Sequence, residues 1–528
     1  MQITKLTYDQ VPQFSTRDRA YVQEVDALRP FYEYPVSVEN FKTIIEKKKA
    51  YKNRNTLVNI LKKQYQEVET TDKVKANIDA LNSENTFTII TGHQPSLATG
   101  PLYFIYKIIS TINLAEQLTK HYPAYNFVPI YWMGSEDHDF EEINHFNLFG
   151  KTLTWENDQK GAVGKMSTKN IVPVLDELKT LLGESENAQK IFDLMHRAYA
   201  QNETLDEATF YLANELFKQY GLVVFITSSR EAKQLFVDFI LKEIIEQPSY
   251  EIVNQTISEL EKAGFKGQAT PRKINFFYMR EGIRERIVRE GEAYKVLNTN
   301  YTFSEKEITQ EVREYPERFS PNVIMRPLYQ EVLFPNLAYI GGGGEIAYWL
   351  ERRAQFEYFG VPFPMLVRRA SVMWLDAGQT KKMNQLGFSI TEIFREEDAL
   401  IKHFVQKNTT QELDLSEAKT QLKTLYDTIL AQAKSIDNSL EKSVLGEQTK
   451  ALKSLDQLEQ KLLRAEKRQH ETSTNRIKGL KGKLFPNRGL QERKDNFMAF
   501  YLKYGDDFIG TLKEHIDVLD KQMLVISP

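Results

Sequence analysis

A chain of 528 residues, 41% apolar and 12% aromatic, can bury a large core, and its length suggests about three structural units. Lys and Arg total 69 against 72 Asp and Glu, a formal net charge of -3, so no general attraction to nucleic acid or anionic lipid is expected. With no cysteine, the chain has no disulfide, no thiolate nucleophile, no cysteine-ligated zinc and no iron–sulfur cluster, so any thiol it handles belongs to a substrate. The opening MQITKLTYDQ lacks an apolar signal segment, and nowhere do about 18 uncharged apolar residues run together. A cytoplasmic protein without membrane contact is expected.

Residues 1–85 are charged and helix-like, with turns such as Glu46-Lys47-Lys48-Lys49, and read as a helical arm packed on the core. The texture then changes. Thr86-Phe87-Thr88-Ile89-Ile90 predicts a strand, a Gly/Pro loop follows, and Leu102, Ile105, Ile108, Ile109 and Ile112 mark a helix. A second strand at Phe127-Val128-Pro129-Ile130-Tyr131-Trp132 completes a β-α-β unit, whose crossover assigns it to a parallel sheet. Gly221-Leu222-Val223-Val224-Phe225-Ile226 and Leu337-Ala338-Tyr339-Ile340 are further strands, the latter followed by a glycine run and a helix over 345–359. This alternation predicts a doubly wound, Rossmann-like α/β core over 86–390.

From about Thr391 glycine nearly vanishes and heptads appear: Leu415, Ala418, Leu422, Leu425 and Ile429, then Ala451, Leu455, Leu458, Leu462 and Ala465. Gly446 lies between the two stretches, and a glycine at a helix end is a common stop, so the pattern predicts an antiparallel hairpin turning there. Its apolar stripe is narrow, which favours a partner helix; residues 391–478 therefore read as a coiled-coil domain that forms a homodimer. Residues 480–492 look turn-rich, and 479–528 read as helices returning to the core.

Three loops could carry chemistry. The first, Thr91-Gly92-His93-Gln94-Pro95-Ser96-Leu97-Ala98-Thr99-Gly100-Pro101, lies at a strand's C-terminal end, where open α/β sheets bind ligands. Pro101 suits a first helical position, the helix's free N–H groups would face an anion, and Lys107 is a candidate point charge. The competing reading is an ordinary loop with one exposed histidine. The second is Glu136-Asp137-His138-Asp139 with Glu141-Glu142-Ile143-Asn144-His145, whose crowded acids call for a cation, either a metal ion or a substrate ammonium. His138 is a candidate general base, whereas the bland alternative is a set of acids capping a helix start. The third, Gly341-Gly342-Gly343-Gly344-Glu345, lets backbone N–H groups approach a phosphate or carboxylate, yet it is neither a dinucleotide fingerprint nor a P-loop. Beyond it, Arg368 and Arg369 end the strand Phe363-Pro364-Met365-Leu366-Val367 and could supply guanidinium forks. Gly164-Lys165-Met166-Ser167 looks like part of an ATP-binding lysine loop but follows the second strand, and is a coincidence of composition.

Taken with Tyr131-Trp132-Met133-Gly134-Ser135, Gly161-Ala162-Val163-Gly164, Ile346-Ala347-Tyr348-Trp349, Phe485-Pro486 and Leu490-Gln491-Glu492-Arg493, these loops resemble the BshC family of bacillithiol-synthesis cysteine-adding enzymes. The resemblance implies a Rossmann-like core with inserted connective segments, similar to class I nucleotidyl-transfer enzymes, and a coiled-coil dimerisation domain. It further implies amide ligation of the carboxyl of L-cysteine to the amine of glucosaminyl malate, with ATP or ADP bound and Mg2+ as a possible companion. Carried onto this sequence, the catalytic residues are His93, Asp137, His138 and Asp139. The substrate-binding set is Gly92, Gln94, Gly100, Tyr103, Lys107, Trp132, Glu136, Asn144, Gly341, Gly344, Glu345 and Arg368, and Lys483, Gln491 and Arg493 would hold the nucleotide; no metal ligand is assigned. The four-glycine turn, where relatives often carry a proline, and the missing lysine loop depart from the pattern. A non-catalytic coiled-coil scaffold that binds a nucleotide or sugar acid, and a metal-dependent hydrolase, are the competing expectations.

Overall fold

The computed structural model describes residues 1–409 and 414–528. Its central sheet has five parallel strands, β1 (Thr86–His93), β2 (Asn126–Met133), β3 (Val223–Ile226), β4 (Asn336–Gly341) and β5 (Met365–Arg368), in the spatial order β3-β2-β1-β4-β5. These strands are almost wholly buried on both faces, as their unbroken apolar and β-branched runs require. The helix α1 (Tyr103–His121) carries the chain from β1 to β2 and is itself largely buried. The winding runs outward from β1 to β3 on one side and through β4 and β5 on the other. Between β1 and β4 the order reverses, and doubly wound sheets open a crevice at such a point.

The predicted strands are present with shifted ends. β1 runs on to His93, pairing Gly92 with Trp132 and His93 with Met133. β3 starts at Val223 because Gly221, at φ 81°, closes the preceding turn in the left-handed region. The expected helix over 345–359 is two, α2 (Gly343–Trp349) and Arg353–Phe359. The break holds a buried pair, Glu351 with Arg352 at 2.7 Å, and Glu351 also accepts the backbone N–H groups of Gln268 and Ala269. Residues 1–85 are more than an arm: Gln2–Leu6 is a strand antiparallel to Met523–Ser527, which runs parallel to Ser371–Trp374. An antiparallel sheet built from Phe276–Arg280, Ile283–Glu290, Ala293–Val296, Thr302–Phe303 and Phe319–Pro321, not expected from the sequence, brings Phe277 and Arg284 beside the C-terminal ends of the parallel strands.

A second apolar core gathers Leu6 and Phe14 from the start of the chain, Phe388, Ile401 and Val405, and Ile477, Leu484 and Val525 from its end. From this base rises the hairpin of α3 (Ser416–Ile436) and α4 (Glu441–Gln469). It is antiparallel, as Lys419 meets Asp456 at 2.7 Å and Glu459 at 2.8 Å while Lys434 meets Glu441 at 2.7 Å. The turn falls at Asp437, not at Gly446. Asp437 leaves the helix (φ -156°, ψ 122°) and accepts the Ser439 N–H at 2.8 Å, an Asx turn that supplies the stop, while Gly446 stays inside α4. Residues 480–484 are likewise helical, the end of Glu471–Leu484. No described helix is long and apolar enough to cross a membrane.

On the helix Leu205–Phe217, Asp206 lies buried under Gly164, where an added Cβ would come within 1.9 Å of its Oδ1. Burial, aided by the charge of Glu136 and only partly opposed by Lys165 at 3.7 Å and by Ser135, raises the carboxyl from 3.8 to about 6. The folded state therefore holds this proton more tightly than the unfolded chain, and stability is lost as pH rises from about 4 through 6. Asp206→Asn is expected to raise the unfolding free energy at pH 8 by about 3 kcal/mol and to change it little at pH 4. Urea melts at the two pH values check this; an equal change at both would contradict it.

Candidate functional site

The crevice between β1 and β4 is a cavity of about 660 Å3. Its floor and sides come from strand ends: Gly92 and His93 at the end of β1 with Gln94 after it, Gly134, Glu136, Asp137 and His138 after β2, and Gly342, Gly343, Gly344 and Glu345 after β4. Phe277 and Arg284 of the antiparallel sheet and Arg326 and Tyr329 of the helix Arg326–Leu333 close it from outside. Segments some 250 residues apart thus meet in one place, as the sheet-edge reading expects.

At its centre lies an ion pair. Lys107, with a side chain only 2% exposed, reaches from α1 to Glu345 at 2.8 Å and donates also to the Gly92 carbonyl. Glu345 accepts in addition from the Tyr339 hydroxyl at 2.5 Å and the Gly342 N–H at 2.9 Å. Burial opposes its ionisation, but Lys107 and these donors win and hold the carboxyl at about 2. Lys107, expected as a free point charge, lines the cleft with its charge already matched.

The acidic run is resolved partner by partner. Glu136 pairs with the fully buried Lys233 at 2.8 Å. Asp137 accepts from Gln94 at 2.8 Å and from the His138 N–H at 2.7 Å, with Arg284 at 3.8 Å; against the burial penalty these hold its carboxyl well below the usual range. Glu142 shares the same Gln94 amide at 3.0 Å. Arg284 Nη1 also lies 2.6 Å from His138 Nδ1, which stands 3.4 Å from Asp137 Oδ1, so a guanidinium and a carboxylate face the same ring nitrogen.

His93 stacks edge-on against Tyr103 at 5.3 Å, with Nε2 3.4 Å from Ser96 Oγ. Desolvation, with Lys107 beside it, lowers its pKa to about 3, so it is a neutral imidazole at pH 7. Beyond it the loop takes positive φ at Ala98, Thr99 and Gly100, and the buried Asn496 side chain steadies this stretch by donating to the Ala98 and Gly100 carbonyls at 2.8 and 2.7 Å.

The cleft brings together His93, Asp137, His138, Gly92, Gln94, Tyr103, Lys107, Trp132, Glu136, Gly344, Glu345 and Arg493. Other expected residues lie elsewhere. Asp139 caps the short helix Phe140–Ile143, accepting the Glu142 N–H at 3.3 Å, so for this one acid the capping alternative holds; Asn144 ends that helix and bonds His145. Gly100 lines a smaller adjoining cavity, and Gly341 is packed in β4 against Glu345. Arg368 is turned away and held by Asp18 through contacts of 2.9 and 3.1 Å, because the strand sends neighbours to opposite faces; Arg369 lines the cleft instead. Gln491 bonds the Trp374 backbone, and Lys483 is exposed on Glu471–Leu484, so the expected nucleotide trio does not assemble. Arg284 and Arg326 went unnoticed: Arg284 sits in an alternating charged strand that reads as a wet edge, and for Arg326 the only cue was Pro327 at a helix start. Among the described residues no group of three His, Asp or Glu side chains is placed to hold a metal ion.

The strand order and the cleft at its switch point define a Rossmann-like α/β protein that carries a coiled-coil domain. Residues 1–370 match the family model of the bacillithiol biosynthesis BshC N-terminal Rossmann-like domain, and residues 372–528 that of the BshC C-terminal coiled-coil domain. A relative from Flavobacterium johnsoniae is 42% identical over 525 residues and one from Flavobacterium psychrophilum 44% over 526, each covering 99% of both chains. One from Cytophaga hutchinsonii is 38% identical, covering 94% of both; all three bear the name "Putative cysteine ligase BshC". The chain belongs to the BshC family.

Glu345→Gln leaves Lys107 buried without a carboxylate, and is expected to cost about 3 kcal/mol of stability at pH 7. Because Glu345 is held below its unfolded value, its contribution is present above about pH 4.5 and fades as pH falls toward 2. The difference between wild type and variant should therefore shrink in urea melts below pH 4.5. A difference that does not vary with pH would contradict the pairing.

Proposed function

We propose that this cleft joins the carboxyl of L-cysteine to the amine of glucosaminyl malate, the amide-forming last step of bacillithiol synthesis, in the cytoplasm. The observation that carries the reading is the mixed charge of the cavity: Lys107, Arg284, Arg326, Arg369 and Arg493 face Glu136, Asp137, Glu142 and Glu345. Both substrates carry ammonium and carboxylate groups, and such a lining can hold both signs at once. The amine nitrogen bonds to the cysteine carbonyl carbon and loses a proton, while a carboxyl oxygen departs with the activating group. ATP would supply that activation. Asp137 and Glu142, bridged by Gln94, offer carboxylates to a substrate ammonium. His93, a neutral and weakly basic imidazole at pH 7, can hydrogen-bond the amine while its proton leaves with the departing group, and Trp132, Tyr329 and Phe277 wall the reacting groups from water. Nucleotide phosphates fit the adjoining cavity of about 280 Å3, where Arg493 and Lys494 stand beside Gly100 and Pro101 at the approach to α1.

The hairpin fits a homodimer. Leu425 is 55% exposed, Leu458 48% and Ile436 75%, along with Ile429, Leu445 and Leu462, so packing of α3 on α4 leaves an apolar stripe in water. The contact is proposed over about 410–475, of which residues 410–413 lie outside the described residues. Leu425→Lys with Leu458→Lys should give a folded monomer by light scattering, where wild type gives a dimer; a monomeric wild type or a dimeric variant contradicts the interface.

Purified protein with ATP, L-cysteine and glucosaminyl malate is expected to yield a thiol-containing amide by mass spectrometry. Asp137→Asn should lower turnover about 100-fold or more while the variant, less stable for the lost contact with Arg284, remains folded at the assay temperature. No amide with any nucleotide would sink the ligase reading, and an unchanged thiol profile in cells lacking the protein would favour a scaffold.

A further inference from the structure

Most cations of the cleft are already answered by a carboxylate. Lys107 has Glu345 at 2.8 Å, Arg284 has Asp137 at 3.8 Å, and Arg369 has Glu492 at 2.7 Å. Two are not. Arg493 is exposed at the mouth and shared with the adjoining cavity. Arg326 is partly buried at the start of the helix Arg326–Leu333, and no described carboxylate comes within ion-pairing distance of it.

The way Arg326 is held explains what it waits for. Nη2 donates to the Tyr348 hydroxyl at 2.7 Å and Nη1 to Gln330 Oε1 at 3.2 Å, and the guanidinium carbon lies 5.4 Å from the Tyr339 ring centre. All these neighbours are neutral, and they fix the plane of the fork without neutralising it. A guanidinium carries five N–H donors, so these two bonds leave three unused. Nη1 lies 3.4 Å from where a Gly92 Cβ would stand, so the fork sits over the end of β1 and the absent side chain leaves room beside it. Glu345 attracts the guanidinium from beyond ion-pairing distance but is itself held by Lys107, so this cation, oriented by neutral groups in a partly desolvated cleft, is arranged for an anion that arrives from outside. The two-pronged geometry matches a carboxylate, which accepts two parallel N–H bonds.

The placement also gives the cleft a direction. Gly92 abuts Arg326, Gln94 bonds Asp137 and Glu142, and His93 stands between them in the chain. A ligand bearing both an ammonium and a carboxylate can therefore lie across His93, its cationic end at the acids and its anionic end at Arg326.

We infer that Arg326, oriented by Tyr348 and Gln330, is the anchor that binds a substrate carboxylate bidentately in the cleft. The identity of that substrate rests on the ligase reading; the carboxylate preference does not. The carboxylate comes either from cysteine or from the malate group of the acceptor, and kinetics separates the two. In Arg326→Gln the KM of the substrate whose carboxylate is held should rise about 10- to 100-fold, with a smaller effect on kcat. Arg326→Lys should recover only part of this, since a point charge lacks the fork, and Tyr348→Phe should raise the same KM a few-fold. A rise for cysteine assigns its own carboxylate, and a rise for glucosaminyl malate assigns the malate group; either supports the anchor.

Calorimetry separates the anchor from the reaction. Native protein is titrated with L-malate, L-cysteine and cysteine methyl ester; the anchored acid should lose affinity in Arg326→Gln, whereas the ester should bind both proteins alike. If native protein makes no amide yet binds an acid through Arg326, the ligase reading falls and the anchor stands. If folded Arg326→Gln keeps both KM values and both acid affinities, the anchor is overturned. Should Arg326→Gln not fold, unchanged KM values in Tyr348→Phe overturn it as well.

Discussion

The buried pair of Lys107 and Glu345 holds the two halves of the winding together where they part. Lys107 belongs to the helix that follows β1 and Glu345 to the one that follows β4, so the pair spans the switch point. Each partner also grips the neighbouring backbone, Lys107 at the Gly92 carbonyl and Glu345 at the Gly342 N–H. Removing two charges from water carries a desolvation cost of several kcal/mol per ion. Here that cost is offset by the mutual attraction and by the extra hydrogen bonds, and the result fixes the spacing of the two loops between which a ligand must fit.

Other ion pairs extend the same logic outward, each tying a distant segment to the back of the site. Arg368 draws in the helix Thr16–Val22 through Asp18, so closely that a Cβ on Gly343 would meet Asp18 Oδ2 at 2.5 Å. That approach is a physical reason for glycine in the third loop, independent of any ligand. Arg369 draws in the C-terminal segment through Glu492, which also accepts from Ser371 Oγ at 3.0 Å and the Val372 N–H at 3.2 Å. Both ends of the chain thus brace the cleft, and the sheet of Gln2–Leu6, Met523–Ser527 and Ser371–Trp374 joins them.

What was legible in the sequence followed from local signals. β1, α1, β2 and β4 are long, apolar and punctuated by glycine, and the sequence alone places the loops at their ends at one sheet edge. Long-range pairing was not legible: Gln2–Leu6 buries only Leu6 fully and finds its partner about five hundred residues away. The same holds for charges. Glu136 and Asp137 looked like a crowd in want of one cation, but their partners Lys233 and Arg284 come from separate elements with no motif of their own. Arg368 and Arg369 differ by one position and by opposite roles, a distinction that depends on where β5 ends. At the hairpin, an Asx turn at Asp437 set the boundary that Gly446 was expected to set.

The central claim is that ligand recognition happens between the ends of β1 and β4. Crystals of the full-length protein soaked with L-cysteine and glucosaminyl malate test it most directly. The account predicts density for a bound substrate between Gly92 and the turn at 342–345, its ammonium beside Asp137 or Glu142. Substrate bound elsewhere on the protein, with this cleft holding only solvent, would contradict it.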